Sequence, residues 1–280
     1  MRDLAKDRSL LAINSATVKP WTLEELVEGC VRAGITAIAP WRDIVQAAGV
    51  EKAGSLIRAA GLTVSCYCRA GLFPAADEAS RRAALDDNRR AVDEAAAIGA
   101  RSLVLIAGGL PKGSKDLAGA HRQVHDGIAA LLPYARENGV PLAIEPLHPM
   151  YAADRACVNT LAHANDLCDQ LGDGSGKDLG LAVDVYHVWW DPDLAGQIAR
   201  AGSRILTYHV CDWLVPTRDL LLDRGMLGDG VIDLRSIRAM VEETGYDGHI
   251  DVEIFSTLDW WKRDPDEVLR ICKARHQSVV

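Results

Sequence analysis

The chain has 280 residues, 49% hydrophobic and 25% charged, with a formal net charge of −8. That supplies apolar material for one large core, and the acidic balance opposes the phosphate backbone of a nucleic acid, so no nucleic-acid partner is expected. No apolar run approaches the roughly 18 residues of a membrane span, the charged opening Met1-Arg2-Asp3-Leu4-Ala5-Lys6-Asp7-Arg8 lacks the core of a secretory signal, and seven scattered cysteines read as reduced thiols in a cytoplasm.

An opening strand over 10–14 leads to a helix over Thr22–Ala33, begun by a Thr22/Glu25 capping box. From there a helix end, a glycine and a short apolar run recur. They appear as Ala33-Gly34-Ile35-Thr36-Ala37-Ile38 and Ala60-Gly61-Leu62-Thr63-Val64-Ser65, and later copies start at Gly99, Gly139, Gly172, Gly202 and Gly245. Glycine suits a helix end because the left-handed conformation costs it nothing, and the run after it reads as a buried parallel strand. Strands are thus expected at 10–14, 36–39, 62–67, 102–106, 141–145, 179–184, 205–210 and 249–254, with long helical segments over 78–98 and 116–138. Eight alternating units predict an α/β chain closed into a (β/α)8 TIM barrel, one domain over 1–280. A doubly wound open sheet would want a glycine-rich phosphate loop after an early strand, where this chain has Asn14-Ser15-Ala16-Thr17.

The chemistry of such a barrel lies at the C-terminal ends of its strands. Strand five ends in Glu145, strand six in Asp184, strand seven in His209 and strand eight in Glu253. Three carboxylates gathered at one level would repel unless a cation joined them. Three oxygens and one imidazole suit a fairly hard divalent ion; manganese is favoured, with magnesium, cobalt and zinc as alternatives. Any one of these residues alone would read as a hydrogen-bonded strand end; four in register read as one metal site. The seven tryptophans all fall in expected βα loops, and Trp41, Trp189 and Trp213 are taken as rim residues able to stack on sugar C–H faces.

The segments Ile144-Glu145-Pro146, Asp184-Val185-Tyr186-His187, Tyr208-His209-Val210-Cys211-Asp212, Gly228-Asp229-Gly230-Val231-Ile232-Asp233-Leu234 and Asp251-Val252-Glu253-Ile254-Phe255 resemble the sugar phosphate isomerase/epimerase superfamily of xylose isomerase-like barrels. That group includes ketose 3-epimerases, inosose dehydratase, 3-dehydroshikimate dehydratase, apurinic-site endonucleases and, through the Glu-Pro-Leu-His-Pro segment at 145–149, the α-subunits of C-glycoside deglycosidases. The resemblance implies a metal held by Glu145, Asp184, His209 and Glu253, and a metal-stabilised enediolate, with Glu145 and Glu253 as acid/base pair. It makes His187 a substrate-binding or neighbouring residue. The endonuclease branch carries extra histidines on strands two and three; here those tips read Ala39-Pro40-Trp41 and Cys66-Tyr67-Cys68-Arg69. Where ketose 3-epimerases carry a glutamate and an Asn-Arg pair after the strand-seven histidine, this chain has Cys211-Asp212-Trp213 and a lone Arg218.

His148 is either the base of an elimination or a loop histidine between prolines, and Arg155 either binds substrate oxygens or pairs with Asp154. Arg218 joins the candidate substrate-binding set. Asp212 either holds His209 or a water beside it, or faces solvent. Cys66 and Cys68 read as core residues in preference to metal ligands. The expected activity is isomerisation or epimerisation of a small sugar or keto-polyol; the alternative on the same scaffold is a lyase, and a metal-free barrel is a third. A homo-oligomer is expected from the resemblance, or a separate β subunit for a deglycosidase.

Overall fold

The computed structural model describes residues 2–280. Its barrel strands are β1 (Leu11–Asn14), β2 (Ala37–Ala39), β3 (Thr63–Val64), β4 (Tyr67–Gly71), β5 (Leu103–Ile106), β6 (Leu142–Glu145), β7 (Leu179–Asp184) and β8 (Ile205–Val210). A short antiparallel pair, β9 (Asp212–Trp213) and β10 (Arg224–Gly225), lies in the loop that follows, and β11 (Ile250–Val252) completes the sheet. All pairings in the main sheet are parallel, in the order β3-β2-β1-β11-β8-β7-β6-β5-β4.

The single strand expected over 62–67 is broken in two. β3 pairs with β2 and β4 with β5, and the chain steps across between them at Ser65-Cys66. Closure runs through that step: Trp41 bridges to Cys68, and Val64 to Ala100. β3 and β4 therefore serve as one stave, and the result is a TIM barrel. Strand eight is shorter than expected, so Glu253 lies one residue past β11, its N–H bonded to Val210 O at 3.0 Å.

The helices cover the outside: α1 (Leu23–Ala33), α2 (Arg42–Ala48), α3 (Val50–Ala59), α4 (Glu78–Ile98), α5 (Leu117–Glu137), α6 (Leu161–Leu171), α7 (Val185–Val188), α8 (Leu194–Ala201), α9 (Leu234–Glu243) and α10 (Pro265–Ser278). Both halves of the Thr22/Glu25 capping box are formed. Gly34 and Gly99 end their helices at φ 67° and 69°, in the left-handed region; Gly172 instead is extended, at φ −82°. Strands such as Leu103-Val104-Leu105-Ile106 are buried along their whole length, the pattern a parallel sheet covered by helices requires. At the end of β4 the backbone of Gly71, at φ 105°, passes so close to Ile106 that an added Cβ would stand 2.0 Å from its carbonyl oxygen, so only glycine fits.

α10 carries a buried histidine, His276, with no hydrogen-bond partner on either ring nitrogen. Burial pulls it from 6.5 to about 4, helped by the charge of Arg238 and opposed by Asp7. A depressed pKa favours the folded state above pH 6.5, and that advantage is lost as pH falls from 6.5 towards 4. His276→Leu should therefore lose about 1.4 kcal/mol less stability per pH unit across that window. Urea unfolding at pH 7 and pH 4.5 measures this; parallel losses in both proteins would contradict it.

Candidate metal centre and substrate cavity

Register brings the polar strand ends to one level. Glu145 closes β6 opposite Ile106, Asp184 closes β7 directly opposite His209 on β8, and Glu253 follows β11. Glu145, Asp184, His209 and Glu253 are all buried, and each offers one ligand-type atom within 4.8 Å of the others. His209 Nδ1 is 3.2 Å from Glu145 Oε1 and 3.9 Å from Glu253 Oε2.

The sequence reading missed Arg224, from β10. It is buried, and its Nη1 donates to Asp184 Oδ2 at 3.0 Å and Glu253 Oε2 at 3.1 Å. Its guanidinium lies over the rings of Tyr186 and Phe255, 4.4 and 4.8 Å from their centroids. No periodicity marks it, because it arrives on a loop between strands; only the fold could have found it.

Asp251 was also missed. It lies two residues before Glu253 and so on the same face of the strand, one layer deeper in the barrel. It accepts from Ser65 Oγ at 2.7 Å and Thr207 Oγ1 at 3.1 Å, and its Oδ2 is 3.8 Å from His209 Nε2. Cys66 Sγ is 3.4 Å from the same nitrogen. Both groups face Nε2 and leave Nδ1 to the carboxylates.

The cluster is short of positive charge. Three carboxylates share one guanidinium and one imidazole, so negative groups outnumber the fixed positive charge. Burial pushes Glu253 up to about 7 despite His209 and Arg224. Burial would lower His209, yet Cys66, Glu145 and Glu253 outweigh it and hold the imidazole well above its usual value. Among the described residues, Glu145 Oε1 and His209 Nδ1 have no hydrogen-bond partner. Two unsatisfied buried atoms facing each other in an electron-rich pocket fit a divalent ion.

Above the cluster opens a cavity of about 520 Å³, whose lining includes Trp41, Arg69, Tyr151, Arg155, His187 and Trp261 along with Glu145, Arg224 and Glu253. Trp41 Nε1 and Asn14 Nδ2 both donate to Glu253 Oε1, at 3.3 and 2.9 Å. His187 is buried; its Nδ1 lies 3.1 Å from the His148 N–H, and its Nε2 lies 3.3 Å from Arg224 Nη2 and 3.6 Å from Asp184 Oδ2. Burial lowers its pKa to about 3, so it is neutral.

Other sequence candidates are not brought to this cavity. The His148 ring packs against Trp213 and Trp190, with centroids 5.2 and 5.5 Å away, and burial lowers its pKa. Trp213 stacks on Tyr186 at 4.6 Å, and Trp189 lies 5.7 Å from Trp213, so both belong to an aromatic wall beside the mouth. Arg218 is held by Asp223 and Asp259. Asp212 does neither thing expected of it: buried, it accepts the N–H groups of Trp213, Gly228 and Ile232 at 2.9, 2.9 and 3.0 Å and pins the loop that delivers Arg224.

Barrel and cluster together define a TIM barrel with a carboxylate–imidazole centre at the C-terminal mouth. The chain belongs to the xylose isomerase-like TIM barrel family, whose model matches residues 27–272. A crystal structure of a protein from Sinorhizobium meliloti 1021 is 58% identical, with a TM-score of 0.95 over 98% of this chain and 99% of that one. A crystal structure of the IolI protein with a bound zinc atom shares the fold, with a TM-score of 0.83 at 19% identity over 96% of this chain and 97% of that one. Inosose isomerase of Bacillus velezensis is 27% identical over 161 residues, 55% of this chain and 53% of the relative. The chain thus spans about half the length of the curated relatives it matches. Among the described residues, no helix is long and apolar enough to cross a membrane.

Proposed function

We propose that this chain is a divalent-metal-dependent isomerase or epimerase of a keto sugar or keto-polyol. The observation that carries the reading is the buried set Glu145, Asp184, His209 and Glu253, with one ligand-type atom of each gathered within 4.8 Å of the others. The curated relative called inosose isomerase and the zinc-bound IolI structure support it. The IolI structure holds zinc, and the donor set here accepts zinc or manganese.

Those four residues would hold the ion, which supplies Lewis acidity to a carbonyl and its neighbouring hydroxyl and so acidifies the adjacent C–H. The rest is work for the chain's own groups. Glu253 is clamped, with Asn14 and Trp41 on one oxygen and Arg224 on the other, so its position is fixed before substrate arrives. Glu145 keeps Oε1 uncommitted and is the freer proton carrier. Placed on β6 and just after β11, three staves apart around the mouth, the two would remove a proton at one face of the substrate and return it at the other. Trp41 and Trp261 offer aromatic surface to the sugar and help exclude water. The His148 ring packs in the aromatic wall and not in the cavity lining, so this reading gives it no part in proton transfer.

Incubation of the metal-loaded protein with an inosose or a ketose in deuterium oxide tests this. Deuterium should enter at the carbon beside the carbonyl, only when Mn²⁺ or Zn²⁺ is present, and without release of water. Metal-independent exchange, or no exchange in a protein that binds metal, would refute it.

A further inference from the structure

Arginines around the barrel mouth fall into two kinds. Arg42 is held by Asp87 and Glu94, Arg218 by Asp223 and Asp259, and Arg224 by Asp184 and Glu253. Arg69, on β4, and Arg155, in the loop after β6, both line the 520 Å³ cavity and have no such partner. Among the described residues, neither guanidinium makes a side-chain hydrogen bond or an ion pair. Asp154 and Asp219 lie in the same region, yet neither is in ion-pair range of Arg155. Each guanidinium instead lies over a ring: Arg69 is 5.9 Å from the Trp41 centroid and Arg155 is 5.5 Å from that of Tyr151.

Two unpaired cations facing one cavity raise the free energy of the empty site. Burial lowers the pKa of Arg69, and the nearby charge of Arg155 lowers it further. The chain as a whole carries −8, so its general field offers anions no attraction, and any preference must arise locally. Planar guanidiniums match the oxygen geometry of carboxylates and phosphates, and an anion between two of them relieves their repulsion while gaining charge-assisted hydrogen bonds. Glu145 and Glu253 lie at the floor of the same cavity, so a substrate whose carbonyl sits at the ion they would hold would present its far end to the two arginines.

Building on the keto-sugar reading above, we infer that the substrate carries an anionic group, a carboxylate or a phosphate monoester, bound between Arg69 and Arg155 at the rim of the cavity. The sequence reading had left Arg155 between substrate binding and a pair with Asp154; with no such pair formed, it is free for the first.

Calorimetric titration of the Mn²⁺-loaded protein with D-fructose, D-fructuronate and D-fructose 6-phosphate tests the inference and separates the two anion sources. At least one of the anions should bind about tenfold more tightly than D-fructose. That advantage should collapse in Arg69→Gln and in Arg155→Gln, survive in part in Arg69→Lys, and shrink as salt is raised. Arg155 is exposed, so its substitution leaves the fold intact even if Arg69→Gln does not. Equal affinity for all three sugars, or an anion preference untouched by either glutamine variant, overturns the inference. Mn²⁺ binding measured beforehand reports separately on the metal reading, so a protein that binds metal but ignores charge sinks the anion site alone.

Discussion

Glu145→Gln should reduce turnover by about 10³ to 10⁴-fold while leaving the barrel folded. General acid–base catalysis by a positioned group is worth roughly 10²–10⁴ in rate, and this change also removes a negative oxygen from the metal cluster. Glu145 Oε1 makes no regular hydrogen bond, and its one ion-pair contact is His209 Nδ1 at 3.2 Å, so an amide in its place disturbs little besides that pair. Its loss should therefore register in activity and metal affinity with little effect on unfolding. Glu253→Gln differs in kind. That carboxylate accepts from Asn14 and Trp41 on one oxygen and from Arg224 on the other, so the amide NH2 must face a donor on one side and the substitution should lower stability as well as turnover. Turnover numbers read beside urea melts would separate the two; retained activity in Glu145→Gln contradicts the assignment.

The second large effect is expected at Arg224. Among the described residues, its guanidinium is the single positive side chain hydrogen-bonded to both Asp184 and Glu253, all three being buried. Removing one partner of a buried charge network leaves the others uncompensated, at a cost of about 3–5 kcal/mol. Arg224→Met, which keeps much of the bulk between Tyr186 and Phe255, should lose that much stability in the metal-free protein. Arg224→Lys should recover part of it. Chemical denaturation after chelation measures the difference, and a loss under about 1 kcal/mol would show that solvent, not Arg224, neutralises the carboxylates.

The two effects are linked by geometry. Arg224 reaches the centre because Asp212 gathers three backbone N–H groups of the long loop after β8 and holds its course. A loop of that length contributes a residue to the centre only when something fixes it, and here a buried carboxylate does so.

What the sequence determined by itself is what repeats or ends an element. Glycine at helix ends and apolar runs after them marked the staves, because left-handed caps and strands buried on both faces each demand particular residue types. Glu145, Asp184, His209 and Glu253 were legible for the same reason: a charged residue ending an apolar strand has few places to go in a barrel except its mouth. Tertiary structure alone decided the rest. It split the third stave at Ser65-Cys66, because closure through Trp41 and Cys68 required a step that no local propensity encodes. It turned His148 and Trp213 towards each other, fastened Arg218 to Asp223 and Asp259, and brought Arg224, Arg69 and Arg155 into one cavity from three separate segments. A loop arginine looks the same in sequence whether it meets a carboxylate, a substrate or water. Its partner is set by distances between elements far apart in the chain, and those exist only once the barrel has closed.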